Sequence, residues 1–394
     1  MIIKAVMENS QHPEYGEMSI PFPIPNDQYD EIMEMLEKLE IGDALKRDCH
    51  VNEVRGDYLI LKRLENQSVN IDELDYLAKR LDSFDEYEKT QFQGMAARLD
   101  LCCMDELINL TFCCQEVTVV TDFNDLKALG CRHYLTLGNG ASLDEMHGMD
   151  FRKVALAMLE GEVGRVTPYG VVYDNGFEMV ELYKMRIFPE YSYEASLLEV
   201  EISSLSKPET EENLSHFLLP MTQAQIERTM LRGGVDGYED MRLRFQGSCL
   251  PTEVDVCLDM EHEGLHDLNE MCAAIAKLDQ GAYAKLGAAV ELAKPEYSSQ
   301  VRQLAENLDL FEFVPKVHTP EELGKYIIMQ SGHFEYDENL AGYIDFAKYG
   351  ADRLERDSGV FTDRGYISFN GTMSLDELMQ EKPAEQGFQM GGQE

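Results

Sequence analysis

Apolar positions change period several times along the chain, and the same order of changes occurs twice. IIKAVMEN, from Ile2, reads as a strand. In NDQYDEIMEMLEKLE the apolar Tyr29, Ile32, Met33 and Leu36 recur at steps of three and four, which predicts a helix with one buried stripe. Asp27, Asp30, Glu31, Glu34, Glu37 and Glu40 fall on its outer face. DYLILKRL, residues 57–64, reads as the next strand. The same order returns as the strand LLEVEIS from Leu197, a helix within LPMTQAQIERTM from Leu219, and the strand DMRLRFQG from Asp240.

The middle of each half is helical in pattern. Ile71, Leu74, Leu77, Ala78 and Leu81 keep helical spacing, as do Leu265, Leu268, Met271, Cys272, Ile275 and Leu278, and several short helices in succession predict a bundle. Short apolar extended pieces follow, VTVV at 117–120 and LFEFV at 310–314.

The closing stretches are the closest in sequence. Laid over each other without a gap, residues 150–176 and 345–371 agree at ten positions, a register long enough to predict an internal repeat. Asp150 and Asp345 stand where a helix N-cap accepts the unpaired N–H groups of a first turn. Gly164 and Gly359 are expected to stop those helices in a left-handed conformation, and Gly170 and Gly365 to supply positive φ in tight turns.

The predicted fold is therefore α+β and multi-domain, made of two tandem copies of one unit. The first copy spans 1–176 (1–65 α+β, 66–130 helical, 131–176 helix and hairpin). A connector covers 177–196. The second copy spans 197–371 (197–260 α+β, 261–330 helical, 331–371 helix and hairpin), and 372–394 is expected to be a disordered tail. The connector holds Phe177, Tyr183, Phe188, Tyr191 and Tyr193, too apolar to remain in water, and is expected to pack against one copy.

Charge changes the picture most. The chain has 74 acidic against 34 basic residues, a formal charge of −40 over 394 residues. The excess is even: residues 1–200 hold 38 acids and 18 bases. Its carboxylates interleave with apolar residues at helical spacing, so they belong to folded surfaces rather than to an acidic tail. Nucleic acid and anionic membrane are excluded as partners by repulsion, and a basic protein surface is the expected one. No run of 18 apolar residues suggests a membrane span, and nine cysteines without a CxxC pair suit a reducing cytoplasm.

Candidate chemistry is sparse. His262-Glu263-Gly264-Leu265-His266 fits H-E-x-x-H, in which two histidines one helical turn apart bind zinc and the glutamate activates water. Here the motif straddles the predicted start of a helix, and residues 68–72 of the first copy retain none of its ligands. A zinc metallopeptidase therefore stands as the alternative to a non-enzymatic reading that needs no cofactor and no metal. A second alternative is an acidic adaptor that binds a basic protein partner. The pairs Cys102-Cys103 and Cys113-Cys114 read as small buried hydrophobes. Carboxylates three or four positions apart on a helix lie about 5–6 Å from one another, a spacing similar in scale to that of phosphates along a nucleic-acid strand.

PEELGKYIIMQSGHFEYDENLAGYIDFAKYGADRL, from Pro320, resembles the ArdA antirestriction proteins of conjugative elements. The family shows an acidic helix, a short linker and a Tyr-Ile-Asp-Tyr/Phe step into a helix, here Tyr343, Ile344, Asp345 and Phe346. LHDLNEMCAAIAKLD, from Leu265, is similar to the start of the family's central helices, and in the first copy the step survives as Met149-Asp150-Phe151. The resemblance implies an elongated series of small domains and a non-catalytic mimic of B-form DNA. Such a mimic occupies the DNA-binding groove of type I restriction-modification enzymes or a related defence complex. It also implies pairing of two subunits, supplied here within one chain as a pseudo-dimer or by a homodimer. The carboxylates expected to stand in for phosphates are Asp27, Asp30, Glu31, Glu34 and Glu37 on the first helix, and Asp72, Asp75, Asp82, Asp85, Glu86 and Glu88 in the first bundle. Asp255, Asp259, Glu261, Glu263, Asp267 and Glu270 are the expected set around the second bundle, with Glu321 and Glu322 beyond it.

Overall fold

A computed structural model describes residues 2–380 apart from 139, 141, 162, 209, 211 and 212; the expected disorder of 381–394 lies outside the described residues. The chain is α+β and divides into two compact units. The first comprises Met1–Glu194, Ser206–Ser215 and Thr222–Gly237, and the second Ala195–Leu205, His216–Met221 and Tyr238–Glu394.

In the first unit, Glu17–Phe22, Ile3–Glu8, Cys49–Gly56 and Ser68–Val69 form an antiparallel sheet in that order. Ile3, Ala5 and Met7 alternate onto its buried face. The helix Asn26–Lys38 buries Tyr29, Ile32, Met33 and Leu36, the stripe expected from the spacing. One strand was misplaced: 57–64 contributes a 3₁₀ helix, Leu59–Leu64, and the strand is Cys49–Gly56. Tyr58, Leu61 and Leu64 are buried at steps of three, the period of a 3₁₀ turn rather than of a strand.

The helices Ile71–Asp82, Glu86–Leu99 and Met104–Leu110 follow, and their buried faces join the sheet in one continuous core. A second sheet, in the order Thr118–Val120, Gly170–Tyr173, Arg165–Thr167, packs with the helices Leu126–Gly138 and Phe151–Gly161 over Val120, Leu129, Ala155, Met158 and Tyr173. Those helices touch at Gly130, where a Cβ would lie 1.7 Å from the Phe151 carbonyl oxygen, so no side chain fits there. The connector straps onto this unit: Tyr183 and Asn109 exchange hydrogen bonds of 2.7 and 3.0 Å, and Phe188 stacks between Tyr183 and Tyr76.

In the second unit, a sheet in the order Met241–Ser248, Leu198–Ser204, Ser215–Leu219 is followed by the helices Leu265–Ile275, Gln280–Ala293 and Ser298–Glu306. A closing sheet runs Phe311–Pro315, Gly365–Phe369, Val360–Thr362. Its helices Pro320–Lys325 and Phe346–Arg356 touch at Gly324, where a Cβ would meet the Phe346 carbonyl oxygen at 2.0 Å. Residues 372–380 are not disordered: Leu375–Met379 is a helix, capped reciprocally by Ser374 and Glu377, with Leu378 buried.

The closing stretches share geometry as well as letters. Asp150 accepts from the Lys153 N–H and Asp345 from the Lys348 N–H. The Thr167 and Thr362 hydroxyls each donate to a glycine carbonyl at 2.8 Å, that of Gly170 (φ 133°) and of Gly365 (φ 141°). Gly164 and Gly359 differ from expectation, since neither has a positive φ. Each is instead pressed against a ring: a Cβ would lie 2.7 Å from Tyr173 at the first and 2.5 Å from Tyr366 at the second.

Candidate functional site

The outer face of the helix Asn26–Lys38 carries Asp27, Asp30, Glu31, Glu34 and Glu37, all exposed. Among the described residues none of the five forms an ion pair; Asp30 accepts the Ala224 N–H at 3.3 Å. Steps of three and four set neighbouring carboxylates about 5–6 Å apart. Asp27 lies in the first turn, where the helix dipole favours it, but Glu34 and Glu37 approach the negative end with Lys38 as the only base in the last turn. The charge of this face is thus not neutralised by the fold, and a cationic partner would relieve it.

The first bundle corrects two expectations. Asp72 and Asp75 are buried, not displayed. Asp72 accepts from the Tyr29 hydroxyl at 3.1 Å and from Arg228 Nε at 2.8 and 3.1 Å, with Arg232 at 3.8 Å. Asp75 accepts the Ile24 N–H at 2.6 Å and pairs with Lys79 at 2.9 Å; burial outweighs the lysine and holds its carboxyl above the usual carboxylate range. Glu73, which spacing did not single out, is buried between them in function, accepting from Arg47 at 3.2 Å and from the Tyr183 hydroxyl at 2.8 Å. Asp82, Asp85 and Glu86 are exposed. Asp82 accepts from the Tyr193 hydroxyl, Asp85 and Glu88 cap the helix Glu86–Leu99 reciprocally, and Glu86 stands 3.8 Å from Lys89.

The second unit spreads its expected acids over several duties. Asp259 and Glu261 are exposed, and Asp259 pairs with His262 at 2.8 Å, which lowers the pKa of the acid and raises that of the imidazole. Glu263 is not free: it accepts from both the backbone N–H and the hydroxyl of Ser298, holding the first turn of the helix Ser298–Glu306, and burial raises its pKa. Asp255 is half-buried, with Oδ1 lacking a hydrogen-bond partner among the described residues. Asp267 is half-buried in the first turn of its helix, and Glu270 approaches Arg302 at 3.4 Å. Glu321 and Glu322 are exposed; Glu321 pairs with Lys325 at 2.6 Å, and Glu322 caps its own helix with Thr319. Of the four-residue step, Tyr343 is 89% exposed, Ile344 half-buried, Asp345 a helix cap and Phe346 buried.

The zinc alternative fails on geometry. Gly264 is the N-cap of the helix Leu265–Ile275, so His262 precedes the helix and cannot face His266 across one turn, while Glu263 is turned to Ser298. Among the described residues no group of three or more His, Cys, Asp or Glu side chains is placed to hold a metal ion. The cysteine expectation holds for Cys113 and Cys114, which are buried, and not for Cys102 and Cys103, which are exposed. No helix of the described residues is long and apolar enough to cross a membrane.

Residues 217–368, which include the Tyr343–Phe346 step and the helices 265–306, match the family model described as antirestriction protein (ArdA). No curated protein matches the chain.

Proposed function

We propose that the whole chain, of which residues 217–368 match the ArdA antirestriction family model, is a tandem-duplicated antirestriction protein that works without catalysis, as a mimic of DNA. Its outward carboxylates stand in for phosphates in the basic DNA-binding groove of a type I restriction-modification enzyme or a related defence complex. The reading places the protein in the cytoplasm, with the two copies serving as a pseudo-dimer or pairing again as a homodimer.

The observation that carries the proposal is the row Asp27, Glu31, Glu34 and Glu37: four exposed carboxylates on one helical face, in no ion pair among the described residues, in a chain of net charge −40. A groove lined by lysine and arginine gains much of its affinity for DNA from counterion release, and a fixed row of carboxylates draws on the same free energy. Glu261, exposed and in no ion pair among the described residues, extends the proposed set, whereas Glu86 and Glu321 each face a lysine. Asp72, Asp75 and Glu263 leave it, because their oxygens are used inside the fold. Support for two copies comes from the shared caps and turns: Asp85 and Asp279 cap the helices Glu86–Leu99 and Gln280–Ala293, which end at the left-handed Asp100 (φ 59°) and Lys294 (φ 53°).

The test is competition against a duplex for a purified type I restriction-modification enzyme over a salt series. The chain should displace the duplex at low salt and lose that ability steeply as salt rises. Binding without displacement would identify an acidic adaptor instead.

A further inference from the structure

The first unit contains a segment from far along the chain, 222–237, and the chemistry around it goes beyond ordinary packing. Arg228 directs its guanidinium at Asp72 and donates from Nη1 to the Gly42 carbonyl at 2.7 Å. One helical turn later, the buried Arg232 donates to the Arg186 carbonyl at 2.7 Å, the Ala44 carbonyl at 2.6 Å and the Tyr183 hydroxyl at 2.6 Å. The Arg232 guanidinium also lies 4.1 Å from the centre of the Phe188 ring. The helix ends are tied as well: Gln225 bonds Asn26 at 2.9 Å, and the Arg232 carbonyl accepts from Arg186 at 2.6 Å.

We infer that residues 1–194 form a receptor for a helix presenting two arginines four positions apart, and that segment 222–237 of the same chain is its ligand. Two features mark a receptor rather than a chance surface. Backbone carbonyls of Gly42, Ala44 and Arg186 converge on the two guanidinium groups, which alone have enough donors in a fixed fork to satisfy them. Asp72, buried with the segment in place, draws its counter-charge from Arg228 and Arg232, which a carboxylate buried at that contact requires. The connector residues Tyr183, Arg186 and Phe188 form one wall, so the strap 177–194 is part of the receptor. Without this ligand the first half is an incomplete domain. The inference stands independently of the inhibitory function.

The test uses the full chain with Arg228→Pro, which breaks the helix and removes one arginine, and a fluorescent synthetic peptide of residues 220–237. The peptide should bind this variant saturably by anisotropy, bind the wild-type chain at least tenfold more weakly because its receptor is filled, and lose at least tenfold when both arginines are replaced by alanine. Equal binding of the two peptides, or no binding to a variant that keeps its circular dichroism, would overturn the inference. Should the proline variant fail to fold, a double-mutant cycle of Asp72→Asn with Arg228→Lys in the full chain decides. Coupling of tenfold or more in the unfolding equilibrium supports the receptor, and additivity within twofold refutes it.

Discussion

The helices Asn26–Lys38 and Gln223–Gly233, which the proposed repeat aligns at an offset of 197, spend their polar faces in opposite ways. The first shows Asp27, Glu31, Glu34 and Glu37 to solvent. At the matching positions the second has Ala224, Arg228, Leu231 and Gly234, and turns its arginines into the first unit. A carboxylate row can serve an outside partner only if the fold makes no use of it. The arginines of the second helix are already committed inside, so within this pair of helices the first is the one available for recognition. The same contrast separates the outer face of helix 26–38 from Asp72 and Asp75, acids at helical spacing that the fold consumes.

Arg232→Ala strips the Ala44 and Arg186 carbonyls and the Tyr183 hydroxyl of their donor, and should cost about 3–5 kcal/mol, the range for breaking a buried charged network; urea unfolding measures it, and a loss under 1 kcal/mol would mean that the site relaxes freely.

Asp75 comes next. Asn269, its match in the proposed repeat, makes the equivalent bond by accepting the Met221 N–H at 2.8 Å, and its amide also donates to the Met221 carbonyl at 2.9 Å. Asp75→Ala should lose about 1–3 kcal/mol by orphaning the buried Ile24 N–H. Asp75→Asn should stay close to wild type, and a loss as large as alanine's would show that the charge itself is required.

The pH dependence gives a smaller effect of definite sign. Burial raises the Asp75 pKa in the folded state, so the folded protein holds this proton more tightly than the unfolded chain. Its contribution is fully present below the unfolded value of about 3.9 and is lost as pH rises through the higher folded pKa. Wild type should therefore lose stability relative to Asp75→Asn as pH increases across that window; a constant difference would place the carboxyl in solvent.

The smallest change in stability belongs to the exposed row. Replacing Asp27, Glu31, Glu34 and Glu37 by their amides removes like-charge repulsion of about 0.2–0.5 kcal/mol per close pair, so the melting temperature should hold or rise slightly. A clear fall would show that these acids stabilise the fold.

Much of this was legible in the sequence where periodicity is unambiguous. The stripe of helix 26–38, the caps Asp150 and Asp345, and the turns at Gly170 and Gly365 follow from spacing and residue type alone. Segment 57–64 was not legible as a 3₁₀ turn because its apolar residues fit both a short strand and steps of three. Asp72, Glu73 and Asp75 escaped because local spacing says which residues share a face, not which distant arginine or N–H meets them. One signal was present for Asp75: the proposed repeat sets it over the neutral Asn269, a substitution that a charge-bearing surface would not favour. Gly164 and Gly359 suit left-handed helix stops by residue type, yet a ring pressed against the backbone requires glycine equally and leaves no local trace.

If the unpaired carboxylates on helix 26–38 imitate phosphates, the amide quadruple variant must lose ground in the duplex-competition assay at low salt. Competition should weaken by about tenfold or more, with a shallower salt dependence, because fewer counterions are released. Competition equal to wild type at every salt concentration would contradict it.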